Sequence, residues 1–306
     1  MFHLLVARKI RHDLFLFFSI LRISQNLFYL LQLVTMIIDT HCHLASSQFV
    51  QNNRESYVEH ALQEGIDRMI TLGARIDDWE ANASWSSQFP GIVFYALGIH
   101  PDDAHDAPEG WSNQLIQMHA DLPLAAIGET GLDYFHEPPL GWSIENFHRL
   151  QQNLLEQHFD LAEKLGLNIV LHTRDKKGTK SFEDALDIAR HYAGRVRPVF
   201  HCFIGDKAQA IRIFDELDGM VSFTGVATFK NASAVAETAR QCPTDRIMLE
   251  TDSPYLSPEP LRGRMNEPAH LIHTARFIAD AKNMQTEELA LITTKNAESF
   301  YNLNKR

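Results

Sequence analysis

The chain alternates short, almost continuous apolar runs with longer segments in which apolar residues recur every three or four positions. Runs of the first kind predict buried strands, and segments of the second kind predict amphipathic helices. The eight predicted strands are Met36–Ile38, Arg68–Leu72, Ile92–Leu97, Leu124–Ile127, Asn168–Leu171, Val196–Phe200, Met220–Phe223 and Arg246–Leu249. The predicted helices are Tyr57–Glu64, Trp79–Gln88, Gln114–Ala120, Ile144–Leu165, Phe182–Tyr192, Ala208–Leu217, Ala234–Arg240, Pro268–Asn283 and Glu287–Tyr301.

This alternation predicts an α/β protein with the layout of a (β/α)8 TIM-type barrel over residues 36–306. An open, doubly wound sheet is the competing arrangement. It is disfavoured because no Gly-x-Gly-x-x-Gly turn follows the first strand, where a dinucleotide-binding fold would need one. No linker rich in Pro, Ser or Gly divides the chain, so we expect a single domain.

Residues 1–35 are predicted to form an N-terminal extension outside this fold. Polar residues interrupt the Leu- and Phe-rich stretch 14–34, and its longest apolar run covers eight residues, Leu14–Leu21. Crossing a bilayer takes about 20 apolar residues, and no small-x-small cleavage site follows. The favoured interpretation is a translated stretch upstream of a true start at Met36. A membrane-surface segment and a weak signal anchor are the alternatives, and only these would bring membrane contact.

The charge balance limits how the protein could meet a polyanion. The formal net charge is -11, and because residues 1–35 carry four cations and one carboxylate, residues 36–306 sit near -14. Such a surface does not attract nucleic acid over long range. A nucleic-acid substrate would have to be captured locally, by bound cations or by a confined basic cluster.

The three cysteines, Cys42, Cys202 and Cys242, are too few and too scattered for a disulfide framework. This favours a reducing compartment, and we expect the cytoplasm. Cys42 and Cys202 each adjoin a histidine, but strand alternation places each on the opposite side from that histidine. Cysteine ligation of a metal is therefore disfavoured.

A His-Cys-His triplet ends the first predicted strand. Residues two apart on a strand point to the same side, so His41 and His43 aim at one point while Cys42 faces away. Two converging imidazoles can hold a metal ion, although two polar residues in a turn would look the same. The other strand ends decide between these interpretations.

Ionisable residues follow most of the predicted strands, at the ends where barrel enzymes build their active sites. The chain places them at His41, His43, His100, Glu129, His172, Arg174, His201, Glu250 and Asp252. Any one histidine could simply donate to a backbone carbonyl. Random placement of polar residues would not fill so many equivalent ends, so together they predict an active site.

Four histidines and two carboxylates exceed the three protein ligands of a catalytic zinc, and they suit two metals instead. His41, His43 and Asp252 come from neighbouring strands one and eight and would hold one ion. His172 and His201, from strands five and six, would hold the other, with Glu129 as the bridge. Two ions about 4 Å apart can activate a water for phosphoryl displacement. The ligand types suit Mg²⁺, Mn²⁺, Zn²⁺ or Co²⁺.

Four of these residues are given catalytic roles. Glu129 bridges the metals, and Asp252 orients or deprotonates the attacking water. His100 and Arg174 are predicted to contact a substrate phosphate, Arg174 as a bidentate clamp if the strand continues past His172. Arg174 could equally pair with a nearby acid, and His100 could lie further from the metals. Asp133 and Tyr134 are expected to shape the loop after Glu129 and receive no catalytic role.

At these motifs the sequence resembles the TatD family of metal-dependent deoxyribonucleases, which are amidohydrolase-like barrels. The matching stretches are residues 38–44, 98–101, 128–134, 172–175, 201–203, 250–255, 262–268 and 293–296. The resemblance implies a divalent-metal-dependent hydrolase, often a 3'-to-5' exonuclease on DNA. It also implies His41, His43, Glu129, His172, His201 and Asp252 as metal ligands, the set reached from the strand ends. Two features depart from the family: Ala45 stands where Asp is usual, and the loop 135–149 looks longer than usual.

We therefore predict a cytoplasmic phosphodiesterase that trims DNA, with single strands or 3' ends as substrate and no stable protein partner. The same water-activating metals would serve a carbonyl, so an amidohydrolase or esterase such as an aminoacyl-tRNA deacylase is the second hypothesis. A third is a catalytically silent binding protein that keeps the barrel as a scaffold. The complete set of six candidate ligands argues against it.

Overall fold

Eight parallel strands form one sheet in which strand order follows chain order. The protein is described from a computed structural model, which covers residues 36–49 and 53–305. The predicted extension 1–35 lies outside the described residues and stays a prediction. The strands are β1 Ile37–Cys42, β2 Ile66–Gly73, β3 Val93–Leu97, β4 Ile127–Tyr134, β5 Ile169–Asp175, β6 Pro198–Phe200, β7 Met220–Phe223 and β8 Ile247–Leu249.

The first and last strands meet, which makes the sheet a nearly closed barrel. Cys42 forms a parallel bridge with Ser253, just past β8. The backbone N–H of His43 donates to the Ser253 carbonyl at 2.8 Å, and that of Asp252 donates to the His41 carbonyl, also at 2.8 Å. The predicted (β/α)8 barrel is confirmed, and these contacts place the ends of β1 and β8 side by side.

Helices alternate with the strands, because amphipathic segments cover the outer surface of a parallel sheet. The helix Ile144–Leu165 is capped at both ends: Ser143 accepts from the Asn146 N–H at its start, and Gly166 ends it in the left-handed conformation. The helices of the described chain are α1 Arg54–Gln63, α2 Trp79–Gln88, α3 Trp111–Asp121, α4 Ile144–Leu165, α5 Lys180–Arg190, α6 Lys207–Leu217, α7 Ser233–Gln241, α8 Leu271–Ala281 and α9 Thr286–Tyr301.

Alternate strand residues fill the barrel with an apolar layer below the strand ends. The larger core cluster packs strand residues against the helices. A smaller cluster is built mainly from the alternate strand residues, which point into the barrel. Val170, Val199 and Met248 belong to the smaller cluster, together with Phe300 and Tyr301 of α9. The residues two positions further along β5, β6 and β8 are His172, His201 and Glu250, so polar groups stand directly above this floor.

Three strands run at least four residues past their predicted ends. The predicted ends at Ile38, Ile127 and Leu171 are wrong, since β1 continues to Cys42, β4 to Tyr134 and β5 to Asp175. Gly128 and Gly131 mimic strand breakers, but here they let two backbones approach. A Cβ at Gly131 would lie 2.0 Å from the His172 carbonyl oxygen. Glu129 and His172 therefore sit within strands rather than in the loops that follow them.

The structure shows where the two departures from the TatD pattern, the loop 135–149 and Ala45, lie in the fold. Residues 144–149 of the loop that looks long form the first turns of α4, so the loop itself is 135–143. Ala45 is partly buried and packs against the larger core cluster. Within the described residues, no helix is long and apolar enough to cross a membrane.

Candidate metal centre

The Glu129 carboxylate stands between two pairs of imidazoles. Its Oε2 lies 3.5 Å from His41 Nε2 and 3.6 Å from His43 Nε2. Its Oε1 lies 3.2 Å from His172 Nδ1 and 2.9 Å from His201 Nε2. The two oxygens of one buried carboxylate are thus divided between the two predicted ligand groups.

Asp252 completes the first group. Its Oδ1 lies 3.3 Å from His43 Nε2 and 3.7 Å from His41 Nε2, and these two nitrogens are 3.2 Å apart. Asp252 adopts the left-handed conformation with φ 55°, which Asp tolerates better than most residues. Its hydrogen bond to the His41 carbonyl fixes that backbone next to β1.

Groups behind the rings of His43 and His201 face the ring nitrogens that point away from the centre. His43 Nδ1 lies 3.1 Å from the Leu72 carbonyl, which fixes the proton on Nδ1 and leaves Nε2 free to bind a cation. Behind His201, Glu250 Oε1 lies 3.6 Å from Nδ1. Glu250 itself accepts from the Ser222 hydroxyl and the Cys202 N–H, each at 2.6 Å. The Leu72 carbonyl thus orients His43, and the hydrogen-bonded Glu250 carboxylate holds a negative charge behind His201.

Asp133 orients His172, a role that the sequence analysis missed. Asp133 Oδ2 lies 3.0 Å from His172 Nε2, while Oδ1 accepts from the backbone N–H groups of Phe135 and His136 at 2.8 and 2.9 Å. Burial would raise the pKa of Asp133, but its bond to His172 lowers it below the usual value. The available signal was strand alternation, which puts Asp133 on the same face as Glu129 once β4 extends past it.

A smaller group of possible ligands adjoins the centre. His136 Nδ1 lies 3.1 Å from both Asp102 Oδ2 and Asp133 Oδ2. Sequence reasoning assigned neither Asp102 nor His136 a role, because they come from different loops whose contact only the folded barrel reveals. Asp133 thus links this group to His172.

The charges of the centre stabilise one another. Burial alone would raise the pKa of Glu129 and lower that of His201, yet their mutual attraction reverses both shifts. Burial likewise lowers the pKa of His43, but Asp252 and Glu129 raise it to about 9. The buried carboxylates therefore stay ionised and require positive charge beside them, which protonated imidazoles or divalent cations can supply.

The spacing of the donor atoms fits bound cations. Four ligands about 2.1 Å from a tetrahedral metal lie about 3.4 Å from each other. The nitrogen–oxygen separations around Glu129 and Asp252 run from 2.9 to 3.7 Å. The structure thus brings all six predicted ligands together around Glu129, and their N and O donors suit divalent metals. The two predicted groups also touch directly, because the His41 and His201 rings stack with centroids 4.0 Å apart and both lie close to Asp252.

The two predicted phosphate contacts lie in different places. His100 Nε2 is 3.7 Å from Glu129 Oε1, and its ring centroid is 4.5 Å from that of His172. Burial and the charge of His172 lower the pKa of His100 to about 3, so its imidazole is neutral. Arg174 instead lies exposed, with its guanidinium carbon 4.0 Å from the centroid of Phe135. His100 therefore borders the centre, whereas Arg174 contacts Phe135.

The cysteines stay apart from the predicted ligands. Cys42 Sγ donates to the Ile70 carbonyl at 3.3 Å and belongs to the helix-facing core. Cys202 Sγ lies 3.5 Å from Thr224 Oγ1. Burial raises the pKa of both thiols well above the usual value, so neither readily offers a thiolate.

Asp133→Asn is expected to weaken metal affinity and turnover by about 10- to 100-fold, as loss of an outer-shell partner typically does. The substituted amide would retain an oxygen for the two backbone N–H groups but present an NH₂ to His172 Nε2, which needs an acceptor. Metal titration and hydrolysis rates measure the effect. Asp106→Asn, at a largely exposed carboxylate beside His105, is the control. Equal metal affinity in the two variants would show that Asp133 does not orient His172.

The chain is similar to a described protein family, to curated proteins and to a solved structure. A family model described as TatD related DNase matches residues 38–302. YabD of Bacillus subtilis, an uncharacterized metal-dependent hydrolase, is 33% identical over 270 residues, covering 88% of this chain and 100% of YabD. YcfH of Escherichia coli K12, described in the same words, is 30% identical, covering 88% and 96%. The crystal structure of YjjV, a TatD homolog from Escherichia coli K12, has a TM-score of 0.76 at 24% identity, covering 87% and 98%.

Proposed function

Because the chain belongs to the TatD-related DNase family and is a metal-dependent hydrolase, we propose that it cleaves phosphodiester bonds in DNA. We further propose a 3'-to-5' exonuclease that acts at two divalent cations, with single strands or 3' ends as substrate. The resemblance inferred from the sequence motifs is confirmed, and that resemblance is the support for the proposed polarity. The observation that carries the two-cation proposal is the division of the two Glu129 oxygens between two imidazole pairs.

The proposed ligands fall into two sets. His41, His43 and Asp252 would hold one cation, His172 and His201 the other, and Glu129 would bridge them. When bound, such a pair supplies positive charge for the phosphate oxygens and lowers the pKa of a water. Mg²⁺ is the proposed ion, with Mn²⁺, Zn²⁺ or Co²⁺ as alternatives. The added positive charge also offsets the acidity of the chain where a phosphate must bind.

The side chains around the cations would orient the reactants. The Asp252 carboxylate would accept a proton from the attacking water, and its Oδ1 lies 3.7 Å from His41 Nε2 and 3.3 Å from His43 Nε2. His100 Nδ1 accepts from the Asp102 N–H at 3.2 Å, so the proton of the neutral ring is on Nε2. That Nε2–H faces the centre and can donate to a phosphate oxygen of the substrate. The cysteine pattern supports the cytoplasm as the proposed location.

The test compares substrates and counts metal in the same protein. The full chain is assayed with a 3'-labelled single-stranded oligonucleotide and with an aminoacyl ester, alongside elemental analysis. We expect about two divalent ions per chain, loss of oligonucleotide cleavage on chelation, and recovery when the metal is returned. Ester hydrolysis without DNA cleavage would establish the deacylase hypothesis instead. Failure to bind any divalent ion would leave only a binding role.

A further inference from the structure

A short basic segment follows the β5 histidine in an otherwise acidic chain. Residues 174–180 hold Arg174, Lys176, Lys177 and Lys180 against one carboxylate, Asp175, while the whole chain carries -11. The Asp175 carboxylate is turned toward the start of α5, where it accepts from the Ser181 hydroxyl at 2.6 Å. The segment itself thus carries four positive charges and one negative charge.

Contacts join this segment to the metal centre. His172, next to Glu129, lies 3.0 Å from Asp133, and Asp133 lies 3.1 Å from His136. The rings of His136 and Phe135 are 5.1 Å apart, and Phe135 carries the Arg174 guanidinium at 4.0 Å. The path from the proposed cation ligands to the basic segment is short and continuous.

Arg174 presents its charge without a carboxylate partner in the described residues. Strand alternation places it on the same side of β5 as His172. Its guanidinium stacks on Phe135, whose ring is itself 38% exposed. Stacking uses the face of the guanidinium and leaves its in-plane N–H groups available, which is the geometry that suits a phosphate.

The three lysines of the segment line an open cavity of about 460 Å³. It is lined by Tyr134, His148, Asp175, Lys176, Lys177 and Lys180. Lys176 pairs with Glu137 at 2.7 Å and Lys180 with Asp184 at 2.9 Å, but both lysines are largely exposed, so a phosphate can compete for them. Lys177 has no ion pair within the described part of the chain.

We propose that Phe135, Arg174, Lys176, Lys177 and Lys180, here called the basic rim, bind the single-stranded DNA that leads away from the metal centre. The proposal rests on the proposed function and names the part of the protein that holds the uncleaved strand. Arg174 and the lysines would contact successive phosphates, and Phe135 would stack on a base. The rim supplies the confined basic cluster that an acidic chain needs in order to hold a polyanion.

The positive charge of the basic rim is tested with the double variant K177Q/K180Q. The control is K164Q/K295Q, which removes two exposed lysines elsewhere, one of them in the last turn of α4. Binding of a labelled 20-nucleotide single strand is measured in chelator at several salt concentrations. Two lost phosphate contacts should reduce the magnitude of the logarithmic salt slope by about 1.4 and weaken binding on the order of tenfold. The control pair should bind like the wild type. Equal slopes and affinities in the two pairs would overturn the proposal.

The stacking part is tested with Phe135→Leu, which keeps an apolar side chain but loses the aromatic face. Affinity for the same strand should fall by about fivefold or more. Phe89→Leu, at a half-buried ring remote from β4 that stacks on Trp85, is the matched control. If both variants bind equally well, no base stacks on Phe135.

Catalysis separates this proposal from the proposed function. For K177Q/K180Q, the KM of the oligonucleotide should rise about tenfold while kcat is retained, and the loss should be far smaller for a small aryl phosphodiester. A wild-type chain that hydrolyses the aryl ester but gives identical KM values for both lysine pairs would support the metal centre and refute the rim. A wild-type chain that hydrolyses neither substrate, yet binds DNA through the rim, would refute the proposed activity alone.

Discussion

Glu129→Ala should abolish hydrolysis, with a loss of at least about 1,000-fold, well beyond the 10- to 100-fold typical of outer-shell partners. The physical reason is that both oxygens of this carboxylate are used. One faces His41 and His43, and the other faces His172 and His201. Alanine would leave four imidazoles around a cavity with no bridging charge. Metal content should fall together with turnover.

The measurement combines elemental analysis with hydrolysis rates at saturating metal. Glu129→Gln keeps the shape but loses the charge and one acceptor, so it should retain the fold while remaining nearly inactive. Glu288→Ala, an exposed carboxylate in the first turn of α9, controls for the loss of an acidic side chain. Wild-type turnover by Glu129→Ala with metal in excess would rule out the two-cation arrangement.

Gly131→Ala should be the most destabilising of the single substitutions considered. Gly131 has φ +144°, and a Cβ there would lie 2.0 Å from the His172 carbonyl oxygen, within the paired strands β4 and β5. Neither backbone can move without disturbing Glu129 or His172. We expect a loss of about 4 kcal/mol or more in the free energy of unfolding, a large part of the 5–15 kcal/mol typical of a folded protein.

Gly166→Ala separates conformational strain from overlap. Gly166 has φ +65° at the end of α4, and a Cβ there would meet no atom within 4 Å. Its substitution should cost about 1 kcal/mol, the left-handed penalty alone. Denaturant unfolding followed by circular dichroism measures both variants. Equal stability of the two variants would show that β4 and β5 do not approach closely at Gly131.

Much of the architecture could be predicted because it depends on a local pattern. Eight apolar runs separated by helical periodicity specify the barrel, and β7 was predicted with its observed bounds, Met220–Phe223. The convergence of residues such as His41, His172 and His201 followed from a general rule, since the carboxyl ends of parallel strands meet on one face. No knowledge of side-chain geometry was needed for that step.

The rest depended on contacts between strands, which a single stretch of sequence does not encode. Gly128 and Gly131 look like strand breakers until the neighbouring backbone of β5 explains them. Ending β4 too early hid the alternation that aligns Asp133 with Glu129. Likewise, nothing local to Arg174 indicates that Phe135 lies under it, because those residues meet only through the pairing of β4 with β5.

The apolar layer inside the barrel limits how a substrate can reach and leave the metal centre. Val170, Val199 and Met248 fill the interior beneath the metal centre, with Phe300 and Tyr301 packed against the same cluster. The barrel interior is therefore closed below the metal centre, and a polymer cannot pass through the barrel. Under the proposed exonuclease activity, the released product must leave through the same open end of the barrel by which the strand enters. Product release and advance of the strand would therefore compete for one opening.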